Sequence, residues 1–332
     1  MESVALHYGA VPMVGTAADT VSDIARWLTS DPLHDLVDVF GGELGWLEGP
    51  IETLADRLLK LDAFTERWDA RQGKERNEAD ELDLTPQQVE VTLAAAVALG
   101  HAGIRAPRFQ HYDHVLMLGG LIRACLSRPA YAASLVDSGA VTADTFTALG
   151  GHRPFVGDEF ALAAANGLPE LTEEYEALDV GTRRAFGLGE PYHVEGESSE
   201  LVGGAWGVRS YRSESGLNIH VAAAPSSDPV VRRADTADTY QFFATNIAHL
   251  RPGQRLLMIT TAIYVPPQHI AGVRMLALPL GVEVDTIGTV PAGAKPTDPL
   301  PYTASKYLLE VRATIGALRR LVATVSDMPT VL

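Results

Sequence analysis

The hydrophobic period of the chain changes about one third of the way along. Before residue 110 the apolar positions recur every three or four residues. Val21, Ile24, Ala25 and Leu28 do so in "TVSDIARWLTS", and Leu54, Leu58, Leu59, Leu61 and Phe64 in "GPIETLADRLLKLDAFTERWDARQ". This spacing lines one face of a helix, and Pro50 stands early enough to be a helix-start residue. "TPQQVEVTLAAAVALGHAG" opens on Thr85 as cap and Pro86 at the first helical position, and closes on Gly100 as a left-handed cap. The charged run "GKERNEADELD", residues 73–83, reads as a solvated loop.

From His111 onward short apolar runs end in turn residues and hand over to helical patterns. Five such units follow one another. "HYDHVLMLGG" leads into "LIRACLSRPAYAASLVDSG", "DTFTALGGHRP" into "DEFALAAANGL", and "LNIHVAAAPSS" into "TADTYQFFATNIAHL". Then "RLLMITTAIY" leads into "PPQHIAGVRMLALPLG", and "VEVDTIG" into "YTASKYLLEVRATIGALRRLVATV". The strands are continuously apolar rather than alternating, which predicts a parallel sheet covered on both faces. The expected fold is α/β: a doubly wound, mainly parallel Rossmann-like sheet over 111–332, with an N-terminal helical extension over 1–110. The Gly-, Ser- and Glu-rich stretch at about 173–216 interrupts the rhythm and reads as a lid or insertion.

Composition narrows the function classes. The 332 residues include 26 basic and 42 acidic ones, a formal charge of −16. That balance excludes an extended nucleic-acid partner and an anionic membrane surface. Cys125 is the single cysteine, so no internal disulfide forms, and its place in an apolar helix marks it as core. The first residues, "MESVALHYGAVPMVG", lack the pattern of a signal peptide, and no window has the apolar length of a membrane span. A soluble, cytoplasmic protein is expected.

In an open parallel sheet ligands bind beyond the carboxyl ends of the strands. The polar clusters of this chain fall at those ends. "LGGLIRA" offers Gly119, Gly120 and Arg123, a turn that either needs glycine geometry or lets backbone N–H groups approach an anion. "GGHRP" offers Gly150, Gly151, His152 and Arg153, a set suited to an acidic group. Glu159 follows in the next helix, as a favourable charge at its start or a carboxylate facing the cleft. "PSSDPVVRRADTADTYQFF" has the richest inventory: Ser226, Ser227, Arg232, Arg233, Asp235, Thr236, Asp238 and Thr239. Capping explains one or two of these, and two arginines before a helix N-terminus call for a compensating anion. "TTAIYVPPQH" adds Thr260, Thr261, Tyr264, Gln268 and His269. No histidine pair has metal-ligand spacing, so no metal is expected.

In order and position these motifs resemble the DUF218 family, the YdcF/SanA/ElyC-like proteins, over roughly residues 111–290. Gly119 and Gly120 match that family's first glycine pair. Gly150 and Gly151 match its second, with Leu149 where the family has serine, and Glu159 matches its glutamate. Asp235, Thr236, Asp238 and Thr239 stand in its Asn-Thr-x-Glu-Asn helix start. Thr260 and Thr261 match its Thr-Ser pair, with Tyr264 in the histidine position and Arg274 or His269 in place of an arginine. The resemblance implies a small-molecule cleft with an S-adenosylmethionine-like or nucleotide-like ligand. The function expected is an enzyme of small-molecule, including secondary, metabolism, of transferase type, with Tyr264, His269 and Asp238 as acid–base candidates. The other reading is a non-catalytic small-molecule sensor or partner-binding protein, with homo-oligomer formation through the N-terminal helices.

Overall fold

The computed structural model describes residues 7–15, 20–43, 45, 53–71, 79–103, 105–201, 203–290 and 300–327. Pro50 and most of the charged run at 73–83 lie outside them. The chain divides into two compact units: Met1–Gly103 with Ala262–Arg274 and Ala294–Leu332, and Ile104–Thr261 with Met275–Gly293. This differs from one cut near residue 110, because the C-terminal helix packs with the N-terminal ones.

The first unit is helical. It contains α1 (Thr20–Leu28), α2 (Asp31–Val39), α3 (Leu54–Phe64), α4 (Pro86–Ala98), α9 (Val265–Gly272) and α10 (Ala304–Asp327). Helix α1 buries Ile24 and Leu28 as its spacing predicts, and Trp27 besides, whereas Val21 is exposed. Thr53 caps α3, and Thr85 and Gln88 form a reciprocal capping box at α4. Trp68, fully buried, meets Phe40 and Phe64 edge to face at 5.5 and 5.8 Å. Helix α10 buries Leu308, Val311, Ile315, Leu318 and Leu321 and packs on α3, α4 and α9. Its Arg312 donates to the Asp62 carbonyl at 2.8 Å, and Arg319 pairs with the Asp62 carboxylate.

The second unit is the α/β body. Its strands are β1 (His111–Leu118), β2 (Thr142–Gly150), β3 (His193–Glu197), β4 (Trp206–Arg212), β5 (Asn218–Ala223), β6 (Arg255–Thr261) and β7 (Glu283–Thr289). They form one seven-stranded sheet in the order β3-β4-β5-β2-β1-β6-β7. The five strands from β5 to β7 run parallel, β4 adds antiparallel to β5, and β3 adds antiparallel to β4. The chain winds from β1 outward through β2 to β5, then returns to the other side of β1 with β6. The β1/β6 boundary is therefore the topological switch point. The expected doubly wound, mainly parallel sheet is present.

Helices α5 (Ile122–Asp137), α6 (Glu159–Ala165), α7 (Glu174–Phe186) and α8 (Thr236–Phe242) complete this unit. Residues 173–216, expected as a lid or insertion, hold α7 and the β3–β4 pair, so they build the fold itself. Helix α7 packs against α5, β2 and β5. A side chain at Gly181 would bring its Cβ within 2.2 Å of the Cys125 carbonyl, so only glycine permits that approach. Tyr112, Val115, Met117, Cys125, Phe146, Leu178, Tyr211, Ile219 and Val221 form a common core.

One buried histidine of the helical unit predicts acid sensitivity. His101 Nδ1 lies 2.8 Å from the Ile263 carbonyl and Nε2 lies 3.3 Å from Thr314 Oγ1. Burial pushes its pKa down from 6.5 to about 4. The folded state then holds the ring neutral while the unfolded chain takes up a proton. Stability is complete above about pH 6.5 and falls by about 3 kcal/mol as pH drops through about 4. Chemical denaturation across this window should show that loss, and His101→Gln should be less stable at neutral pH but lack this part of the slope.

Candidate functional site

The carboxyl ends of β1 and β2 are tied together by a buried network of two glutamates and two arginines. Arg153 follows β2, and its Nε donates to Glu174 Oε2 at 2.9 Å. Nη1 reaches Glu159 Oε2 at 2.7 Å, and Nη2 reaches Glu159 Oε1 and the Gly120 carbonyl, both at 2.9 Å. Glu159 also accepts the Ile122 N–H at 2.8 Å, at the first residue of α5, and the Val156 N–H at 3.0 Å. An internal carboxylate thus takes the place at this helix N-terminus where an anionic ligand would bind. Burial opposes its ionisation, yet the Arg153 hydrogen bonds and the two N–H groups outweigh it and hold Glu159 below the usual range. Burial instead pushes Glu174 above that range, although Arg153 and Arg128 pull against it.

Glycine is required beneath this network. A Cβ on Gly119 would lie 2.2 Å from Glu174 Oε1, and one on Gly150 would lie 2.5 Å from the same atom. Both turns are bare so that the Glu174 carboxylate can sit over them. At the switch point, Arg128 from α5 is buried and donates to the Leu118 carbonyl at 2.5 Å, to the Gly119 carbonyl, and to Thr261 Oγ1 at 3.1 Å. It bridges the ends of β1 and β6. Arg123, expected at the cleft, is exposed on α5 instead. Thr260 is buried, and its hydroxyl has no hydrogen-bond partner among the described residues.

The loop between β5 and α8 is likewise closed on itself. Asp235 caps α8, accepting from the N–H groups of Ala237 and Asp238 at 2.8 and 3.1 Å. Asp238 accepts from Ser227 N at 3.0 Å and Asp235 N at 2.9 Å, and pairs with Arg232 Nη1 at 2.5 Å. Arg232 Nη2 adds Ser227 Oγ at 2.9 Å. Burial raises the Asp238 pKa, but these donors overcome it and bring it down to about 2. A carboxylate so stabilised is a weak base at neutral pH. Ser226 Oγ accepts the Asp228 N–H at 3.0 Å, and Thr239 Oγ1 donates to the Thr236 carbonyl at 3.0 Å. The Arg233 carbonyl accepts from Arg232 Nη1 at 3.0 Å.

His152 is placed differently. Its Nδ1 lies 3.1 Å from both carboxylate oxygens of Glu173, and the two side chains keep 27% and 26% of their surface exposed. The ring meets Tyr175 edge to face at 5.1 Å, and the Arg209 guanidinium covers the Tyr175 ring at 4.7 Å. Arg209 is fixed in turn by Asp179 at 2.7 Å. Gly151, next to His152, approaches the β5–α8 loop, its Cβ position lying 3.8 Å from Ala234 Cβ and 3.9 Å from the Ala224 carbonyl. A base oriented through Nδ1 by a carboxylate, with Nε2 turned to solvent, is the arrangement used for proton transfer.

Tyr264, Gln268 and His269 belong to the helical unit. There His269 is buried, and its Nε2 lies 2.8 Å from the Val14 carbonyl. It lines a small cleft with Val14, Trp27, Leu99, Pro266 and Thr314.

Sequence reading missed Arg128, Glu173 and Glu174. The signals were there: Arg128 lies on the same helical stripe as Cys125 and Ala132, and "TEEYEAL" carries acidic residues ahead of Tyr175 and Leu178 at helix spacing. Among the described residues no cluster of three or more His, Cys, Asp or Glu is placed to hold a metal, and no helix is long and apolar enough to cross a membrane.

Residues 12–100 match the family model described as "Rv3785 N-terminal domain". The chain is 28% identical over 338 aligned residues to "Uncharacterized protein Rv3785" of Mycobacterium tuberculosis. It is equally similar to "Uncharacterized protein Mb3814" of Mycobacterium bovis, and each alignment covers 93% of this chain and 90% of the relative. No solved structure matches. These findings overturn the DUF218 resemblance, since the family and relatives found are those of Rv3785. Glycine turns and capped helix starts in that order serve Glu174, Glu159 and Asp235 inside this fold, so their sequence order carries no kinship.

Cutting the buried network should be costly. Arg153→Met leaves Glu159 and Glu174 buried without their shared cation and should destabilise the protein by about 3–5 kcal/mol. Arg123→Met, on the exposed face of α5, should change stability by less than about 0.5 kcal/mol. Urea unfolding of both variants measures the difference.

Proposed function

We propose that the protein is an enzyme acting on a small molecule beyond the carboxyl ends of β2 and β5, with His152 as general acid–base and Glu173 as its orienting carboxylate. The observation that carries this reading is the His152–Glu173 pair, partly exposed beside Gly151 at a strand end. Tyr175 and Arg209 brace the pair. A soluble, cytoplasmic enzyme is the setting this reading carries.

The buried network constrains the ligand. Glu159 already neutralises the N-terminus of α5, and Glu174 lies over both glycine turns, so a phosphate gains no open N–H cradle there. Among the expected ligand classes this favours an adenosyl ligand without phosphate, of the S-adenosylmethionine kind, over a nucleotide. With the family resemblance gone, that choice rests on the placement of these carboxylates alone.

Thermal denaturation with S-adenosylmethionine, S-adenosylhomocysteine and ATP tests the reading. A ligand at about twenty times its dissociation constant adds about 2 kcal/mol, a shift of several degrees. The adenosyl pair should raise the melting temperature of the wild type, and ATP should not. His152→Gln should retain the fold and lose most of the shift. Stabilisation by ATP alone, or by none of the three, overturns the adenosyl assignment. An unchanged shift in His152→Gln removes His152 from the site.

A further inference from the structure

The β3 edge of the sheet is built to pair with itself. Strand β3 bonds to β4 on one side only, and all five of its residues are exposed. Just before it stands Tyr192, 62% exposed, and within it Val194, 61% exposed. By strand alternation Val194 and Gly196 share one face, and His193, Glu195 and Glu197 the other. Edge strands of monomeric proteins are commonly protected by like charges that collide on pairing. The order of residues here does the opposite in one register.

We propose that the protein forms a two-fold dimer by antiparallel pairing of β3 with the β3 of a second copy, centred on Val194. In that register Val194 meets Val194 of the partner subunit. His193 faces Glu195 of the partner subunit, and the two-fold axis repeats the contact. Gly196 leaves its part of the strand bare. Gly196 cannot be replaced to fill that space, because its Cβ would lie 2.6 Å from the Trp206 carbonyl. Shifting the centre to Glu195 opposes two glutamates, and shifting it to His193 opposes two histidines. Opposite charges directly across an antiparallel pair are stabilising, and like charges there are destabilising. The result is one continuous sheet running through both subunits.

So short a pairing buries less than a standard interface, which makes the dimer weak and concentration-dependent. Sedimentation velocity of the full chain from about 1 to 200 µM should therefore show a monomer–dimer equilibrium. Val194→Lys should leave a monomer with an unchanged melting temperature, since the residue is exposed. His193→Glu should weaken the dimer about tenfold or more. The exchange His193→Glu with Glu195→His should restore it, because the same opposite pairs form in reversed order. A wild type that stays monomeric through this range overturns the proposal. So does a dimer indifferent to Val194→Lys, which places the interface elsewhere, for instance on the N-terminal helices. Open-ended filaments would also overturn it, since they require a head-to-tail contact.

Discussion

The sheet of the second unit depends on one carboxylate. Glu174 lies over Gly119 and Gly150 at the ends of two adjacent strands, where neither turn has room for a Cβ. A buried carboxylate without compensation is prohibitive, so Arg153 must be there, and Arg153 in turn requires Glu159 to balance it. Glu159 then closes the N-terminus of α5 by taking the Ile122 N–H. From one packing decision follow two glycine turns, an arginine, a second glutamate and the start of a helix. Arg128 extends the same logic across the switch point by joining the ends of β1 and β6.

This arrangement explains why glycine-rich strand ends here are a poor guide to phosphate binding. The positions that a ligand's charge would occupy are filled by the chain. What remains open is the flank of the sheet beyond β2, where His152 is held by Glu173 rather than sealed between partners. The candidate site is therefore displaced from the switch point toward β5. Its support comes from α7, which lies between β2 and the antiparallel β3–β4 pair in chain order and packs against β2, β5 and α5.

Much of this was legible in the sequence. The five apolar runs and the helices after them carry their periods plainly, because strands buried on both faces need no polar alternation and amphipathic helices do. A capped start for α8, which the structure gives to Asp235, and Cys125 as core followed from local rules. Glu173 and Glu174 were hidden because Gly, Ser and Glu nearby gave 173–216 the composition of a loop, although Tyr175 and Leu178 mark a helix. Arg153 was read as a ligand holder because an arginine at a strand end is seen without its partners. Only the fold brings Glu159 and Glu174 to it from six and twenty-one residues away. The closed loop around Asp238 is a similar case: its residue types suit a binding site, and their geometry satisfies the loop itself.

The claim that matters most is that Glu173 presents His152 with its proton on Nδ1 and its lone pair on Nε2 turned outward. Long-range nitrogen–proton correlation spectra of histidine-labelled protein, taken where the ring is neutral, read the tautomer directly. The account predicts the Nδ1–H form for His152, shifting toward a mixture in Glu173→Gln. An Nε2–H form in the wild type, or a tautomer unchanged by Glu173→Gln, would contradict it.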